Sequence, residues 1–169
     1  MNDALRHALA YARAGFSVIP IAGDGSKRPA IEWKEFQGRQ ASQPEILRWY
    51  TGSNYGVGIV CGAVSGGLEV LDFDSAAVWE AYQQALADNM RDKALSLPRV
   101  RTPSGGVHVY YRCRAVVEGN RKLARDAAGK TLIETRGEGG QVVAPGSPAC
   151  CHPSGRLYVW EVPLTGVTL

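Results

Sequence analysis

Residues 99–113, Arg-Val-Arg-Thr-Pro-Ser-Gly-Gly-Val-His-Val-Tyr-Tyr-Arg-Cys, set two runs rich in β-branched and aromatic residues on either side of a Pro-Ser-Gly-Gly turn. Such side chains fit the pleated, half-buried surface of a sheet, and two runs joined by a short glycine-bearing turn read as paired strands. The same character continues downstream. TLIETRG (131–137), GQVVAPG (140–146) and RLYVWEV (156–162) are further strand-like runs separated by glycine-bearing turns.

Upstream of Pro98 helical signals are frequent. Residues 3–14 place Leu5, Leu9 and Ala12 on one stripe, with Asp3 as the expected N-cap and Gly15 as the stop. FSVIPIA (16–22) reads as a short buried strand, followed by a loop over 23–40 rich in glycine and charge. Ser42 and Glu45 have capping-box spacing ahead of a second helix. YGVGIVCG (55–62) is a strand-like run whose glycines suit close backbone approach or sharp bends. LEVLDFD (68–74) leads into Ser75, the expected N-cap of one amphipathic helix over 76–90 carrying Trp79, Tyr82, Leu86 and Met90. Helices early and hairpin-like strands late predict an α+β fold with a mostly antiparallel sheet.

The 169 residues are 45% hydrophobic and 21% charged, which suits one folded domain and excludes a disordered chain, a coiled coil or a collagen-like fibre. No apolar run approaches the roughly 20 residues of a membrane span. Asp3 and Arg6 interrupt the N-terminal stretch where a secretory signal is continuously apolar. The chain is therefore expected in the cytoplasm. Cys61, Cys113, Cys150 and Cys151 show no CxxC pair, and Cys150, Cys151 and His152 in a row cannot easily converge on one ion, so they read as buried or incidental thiols. The net charge of +3 is unevenly spread: between Arg99 and Arg136 nine Lys or Arg stand against three acids, a balance of +6 that leaves −3 elsewhere. A basic block suits an anionic partner, though it also suits a plain solvated face.

In LEVLDFD the alternation of a strand puts Val70, Asp72 and Asp74 on one face and Leu71 and Phe73 on the other. Two carboxylates roughly 7 Å apart along a strand at the end of an apolar run need a counter-charge, and a divalent cation supplies one. The plainer alternative is a cap contact for Asp74 and a turn hydrogen bond for Asp72. In TLIETRG, Leu132, Glu134 and Arg136 share a face. If that strand lies beside LEVLDFD, Asp72, Asp74 and Glu134 form a carboxylate cluster suited to Mg²⁺ or Mn²⁺; the alternative is an ion pair of Glu134 with Arg136 or across the strands. Between the acids, Ser104, Gly105 and Gly106 form a turn whose N–H groups suit close approach to an anion, and His108 projects from the following strand on the face of Tyr110. An ordinary turn beside a half-buried histidine is the competing reading. There is no G-x-x-x-x-G-K-[ST] stretch, so a P-loop is excluded.

Taken in order, DFD (72–74), TPSGGVH (102–108), IETRGEGGQVVAPGS (133–147) and HPSGRLYVW (152–160) resemble the primase–polymerase catalytic domain of the archaeo-eukaryotic primase superfamily. AGFSVIPI (14–21) and SKRPAIEW (26–33) resemble that family's N-terminal unit. The resemblance covers nearly the whole chain. It implies one catalytic domain over 1–169, with an N-terminal αβ unit at about 1–65 packed against an RRM-like sheet at 66–169. It also implies a replication enzyme of plasmids, phages or prophages that joins nucleoside triphosphates on a single-stranded DNA template, with or without a primer, by a two-metal mechanism. Asp72, Asp74 and Glu134 match the family's metal-binding acids, His108 the histidine on the nucleotide's phosphates, and Ser104 the small polar residue of the turn. Arg136, and Lys27 or Arg28 in the SKRPA loop, are further candidates for triphosphate or template contact by charge and position.

Glu134 stands where many relatives have Asp, and Gly146 where relatives often have a second proline. No zinc-binding insertion or following helical domain is visible. Since such appendages help relatives start primers, this chain is expected to extend primers better than it starts them, and to be the N-terminal part of a longer primase–helicase or to act with a separate helicase. Three other classes compete. A non-catalytic RRM-like nucleic-acid-binding module lacks the aromatic stacking signature here and has no use for three acids that repel phosphate. A nucleotide-sugar glycosyltransferase would use DFD as its DxD, but the chain is small and shows no acceptor domain. A metal-dependent nuclease would use the same acids.

Overall fold

The structure, a computed structural model, describes residues 2–165; Met1 and residues 166–169, part of the expected catalytic unit, lie outside them. In chain order it consists of α1 (Asp3–Arg13), β1 (Ser17–Ile21), α2 (Gln43–Tyr50), β2 (Gly56–Val60), β3 (Leu68–Phe73), α3 (Ala76–Ala85), α4 (Asp88–Ser96), β4 (Arg99–Arg101), β5 (Val107–Arg112), β6 (Lys122–Arg125), β7 (Thr131–Arg136), β8 (Gln141–Ala144) and β9 (Val159–Val162), with short 3₁₀ turns between. The strands form two sheets, β1-β2-β8 and β6-β7-β3-β5-β4-β9. Every pairing is antiparallel. The α+β class expected from the sequence is what the chain adopts.

The small sheet is buried throughout β1 and β2. Gly58 makes the close packing possible, because a Cβ there would stand 2.7 Å from the Ile21 side chain and 3.0 Å from that of Ile19. Strand β8, from the second part of the chain, completes this sheet beside β2. One core runs between the two sheets and takes Val18, Ile59 and Val143 from the small one and Val70, Val100 and Tyr110 from the large one. The Tyr11 hydroxyl donates to the Pro145 carbonyl at 3.0 Å and accepts from Trp160 Nε1 at 3.1 Å, tying α1 to the turn after β8 and to β9. A second core holds Phe73, Val107 and Val109 against Trp79 of α3. Val70 and Phe73 thus sit on opposite faces, as strand alternation requires.

Some local expectations change. The N-cap of α1 is Asn2, whose side chain accepts from the Leu5 N–H at 2.8 Å; Asp3 is the first helical residue, where a carboxylate still favours the positive end of the helix. The helix over 76–90 is broken: Leu86 and Ala87 are extended, with ψ of 144° and 150°. The Arg91 side chain stabilises the break by donating to the carbonyls of Gln83 at 2.8 Å and Leu86 at 3.1 Å, groups an uninterrupted helix would satisfy itself. Met90 is consequently exposed. The capping box holds: the Glu45 carboxylate accepts from the Ser42 N–H at 2.8 Å. Among the described residues no helix is long and apolar enough to cross a membrane.

Candidate active site

The site forms where the acidic end of β3 lies between β5 and β7. Asp72 is in register with His108 on one side and Glu134 on the other. Directly opposed residues in an antiparallel pair have Cβ atoms only about 5 Å apart, and like charges so placed destabilise the sheet unless compensated. Arg136, two residues beyond Glu134 on the same face, compensates. Its Nη2 lies 3.2 Å from Asp72 Oδ2 and bonds Glu134 Oε1. His108 Nε2 lies 3.5 Å from the other Asp72 oxygen. Burial by itself would raise the Asp72 carboxyl, but the His108 ring and the Arg136 guanidinium outweigh it and hold that carboxyl down at about 2. Asp74 follows β3, and its Oδ2 is 2.7 Å from Lys130 Nζ.

All three acids line one cavity of about 220 Å³. Among the described residues no three His, Cys, Asp or Glu side chains converge closely enough to hold a metal ion as they stand. Their charge is met instead by the chain's own cations, Arg136 on Asp72 and Glu134 and Lys130 on Asp74. Three carboxylates are an all-oxygen donor set, the kind hard divalent cations take, and the places where cations belong are marked by a guanidinium and an ammonium. The residues present therefore fit Mg²⁺ or Mn²⁺. The ion pair of Glu134 with Arg136, the alternative weighed from the sequence, exists within the same cluster.

The turn over 102–106 works differently from its sequence reading. The Gly105 N–H donates to the Thr102 carbonyl and the Gly106 N–H to Thr102 Oγ1, each at 3.0 Å, so neither is free for an anion. Gly105 is needed for its backbone, with φ of +91°. Gly106 is needed for space: a Cβ there would stand 2.3 Å from the Phe73 carbonyl oxygen. The close approach its sequence suggested is to β3. What the turn presents to the cavity is the side chains of Ser104 and Thr102. His108 lines the same cavity, is largely buried, and leaves its Nδ1 without a partner.

The sequence profile of the bifunctional DNA primase/polymerase N-terminal domain, Prim-Pol, matches residues 8–167. The chain belongs to the Prim-Pol family. No curated protein matches it at a significant level. Membership sets the function in general terms as DNA primase or polymerase chemistry, a nucleotidyl transfer, and the matched span contains every cavity residue named above.

In this Prim-Pol domain the SKRPA loop brings Lys27 into the cavity wall, whereas Arg28 is exposed and lines no part of it. Six cavity residues had no functional role assigned from the sequence: Phe73, Thr102, Thr131, Leu132, His152 and Tyr158. The last two lie inside HPSGRLYVW, so the signal was present as a motif without a role. The Tyr158 ring lies 6.1 Å from that of His108 and 6.0 Å from that of His152, spacing the two histidines. The cysteines stay outside this site. All four are free, and burial pushes the Cys61 and Cys151 thiols up to about 12, consistent with inert packing. Of the segment's nine cations Arg99, Arg121, Lys130 and Arg136 are in ion pairs; among the described residues Arg101, Arg112, Arg114, Lys122 and Arg125 make none, and the Arg112 guanidinium lies over the Phe16 ring.

Proposed function

We propose that this domain transfers nucleotides to a primer terminus, or joins free nucleotides, on a single-stranded DNA template, using Asp72, Asp74 and Glu134 as ligands for Mg²⁺ or Mn²⁺. The observation that carries the reading is the register of Asp72 with both Glu134 and His108, which puts two acids and a histidine ring on adjacent strands of one sheet. When bound, the divalent ions neutralise the triphosphate and make the attacking 3′-hydroxyl more acidic.

The chain's own residues supply position. β3 and β7 hold the backbones of Asp72 and Glu134 in fixed register through the ladder, while Arg136, which bridges the two carboxylates, would have to yield to a bound ion. The Ser104 hydroxyl and the His108 ring offer hydrogen bonds to phosphate oxygens from the adjoining turn and strand. Arg136 carries a guanidinium at the same wall, where its planar donors suit phosphate as well as carboxylate. Positioning and charge neutralisation account for most of the rate in phosphoryl transfer, so no separate base is assigned. Arg101, Arg114, Lys122 and Arg125 are available to the backbone phosphates of template and primer, which makes binding salt-dependent.

The test is incubation with labelled nucleotides and a primed or unprimed single-stranded oligonucleotide, with each metal. The reading predicts products longer than the primer whose sequence follows the template. Products shorter than the input would identify a nuclease, and metal-independent binding without new products would identify a binding module.

A further inference from the structure

Outside the acidic cavity, at the β9 edge of the six-stranded sheet, lies an open groove of about 400 Å³. The turn after β4 supplies Pro103 to it, and the segment leading into β9 supplies Arg156 and Leu157. The two segments meet, with the Ser154 hydroxyl 3.5 Å from the Pro103 carbonyl oxygen. Thr102 lines both the groove and the acidic cavity, so the groove starts where the cavity ends.

Successive residues of an extended chain point opposite ways, and residues 157–159 use that alternation. Tyr158 is buried and lines the cavity, whereas Leu157 and Val159 on either side of it are 55% and 40% exposed and line the groove. One stretch of backbone therefore separates a polar cavity from an apolar surface. β9 pairs only with β4, which leaves its other edge open. Sheet edges are ordinarily guarded by charge or covered, and adjoining apolar side chains left in water inside a polar rim mark a surface that meets a partner.

The rim gives the partner's charge. Arg101, in register with Val159, and Arg156 line the groove; both are exposed, and neither makes an ion pair among the described residues. Among those residues no acid lines the groove. Farther along the same two strands the charges are matched, Arg99 Nε lying 3.1 Å from Glu161 Oε2. A chain that carries repeated negative groups and apolar surfaces fits such a groove. An unpaired nucleic-acid strand is of that kind, because its bases are free to lie against side chains while its phosphates meet cations. A duplex keeps its bases stacked inside.

We propose that this groove holds the unpaired DNA template beside the active site, with Arg101 and Arg156 on its phosphates and Leu157 and Val159 against its bases. This rests on the nucleotidyl-transfer reading above. DNA is preferred to an acidic peptide because the groove and the acidic cavity share Thr102, and a strand copied at the acids crosses that rim. The other basic track, Lys122 and Arg125 on β6, lies at the opposite edge of the sheet and lines no part of the cavity.

The test measures binding of a non-self-pairing single-stranded oligonucleotide, a blunt duplex and an oligoglutamate peptide to the full chain by fluorescence anisotropy over a salt series. Thermal unfolding is recorded for every variant, and primer extension on the same strand for the wild type. The Arg101→Ala, Arg156→Ala double variant is expected to bind the single strand about tenfold more weakly and to flatten the slope of log affinity against log salt by about 1.4, the value for two phosphates of a single strand. Leu157→Ser is expected to weaken the single strand severalfold at unchanged slope, since it removes apolar contact and no charge. Arg156→Glu, at an exposed position, carries the test if the double variant unfolds. Folded variants with wild-type affinity and slope overturn the inference alone. So do an equal loss on the blunt duplex, a loss that falls on the peptide only, and a larger loss from Lys122→Ala with Arg125→Ala. A wild-type chain that binds no single strand, or binds it and extends no primer on it, overturns the nucleotidyl-transfer reading and the inference with it.

Discussion

Replacing Gly106 with alanine tests the join between the acidic strand and the turn that carries Ser104 and leads into His108 of β5. The added Cβ would stand 2.3 Å from the Phe73 carbonyl oxygen, 3.1 Å from that of Asp74 and 3.1 Å from Thr102 Oγ1. Two of these atoms are backbone and cannot swing aside. To regain ordinary contact the ends of β3 and β5 must part by about 1 Å, against a ladder in which Phe73 pairs with Val107. Overpacking of this kind costs about 1–3 kcal/mol. The Gly106 N–H bond to Thr102 Oγ1 stretches with it, worth about 1 kcal/mol more. The expected loss is therefore about 2–4 kcal/mol, read in urea as a lower midpoint at unchanged slope. Gly105→Ala is the control: nothing lies within 4 Å of its Cβ, and its φ of +91° leaves only backbone strain, a smaller loss of about 1–2 kcal/mol. If Gly106→Ala is as stable as wild type, or costs less than Gly105→Ala, the reasoning about close approach is refuted.

Two further outcomes follow from the acidic wall. Asp72 titrates at about 2 instead of the ordinary 3.8, so its ionised form stabilises the fold by about 2 kcal/mol. Because the folded value is the lower one, this is fully present above pH 3.8 and is lost as pH falls through about 2. Asp72→Asn in chelator should therefore be about 2 kcal/mol less stable than wild type near neutral pH, the gap closing in acid; a variant more stable than wild type at pH 7 would show that His108 and Arg136 do not compensate the carboxylate. His108→Ala should raise the nucleotide KM much more than it lowers kcat, and steady-state kinetics with an unchanged KM would remove His108 from the nucleotide's phosphates.

Much of this architecture was readable locally. The alternation in LEVLDFD put Val70 and Phe73 on opposite faces, and they enter the two separate cores. The Asp72 and Glu134 juxtaposition was conditional, because a side-chain pattern says which face a residue takes and not which strand lies next to it. The register supplied that condition. Gly106 shows the opposite limit: a glycine announces that something comes close, and only the tertiary structure says that it is a carbonyl of β3. The break at Leu86 and Ala87 was hidden because alanine and leucine favour helix, and the interruption depends on Arg91 reaching back to open carbonyls. Strand β6, Lys-Leu-Ala-Arg at the sheet's edge, is short and polar, as edges often are, and so left no alternating signal. His152 and Tyr158 enter the cavity through the long excursion between β8 in one sheet and β9 in the other, which no periodicity encodes.

The central claim is that the carboxylates of β3 run nucleotidyl transfer on a DNA template. Its most direct test is primer extension on a single-stranded template of known sequence, in Mg²⁺ and in Mn²⁺, comparing the wild-type chain with an Asp72→Ala, Asp74→Ala double variant shown to be folded. The account predicts template-dependent, metal-dependent extension by the wild type and none by the variant. Extension that survives in the folded double variant would contradict it.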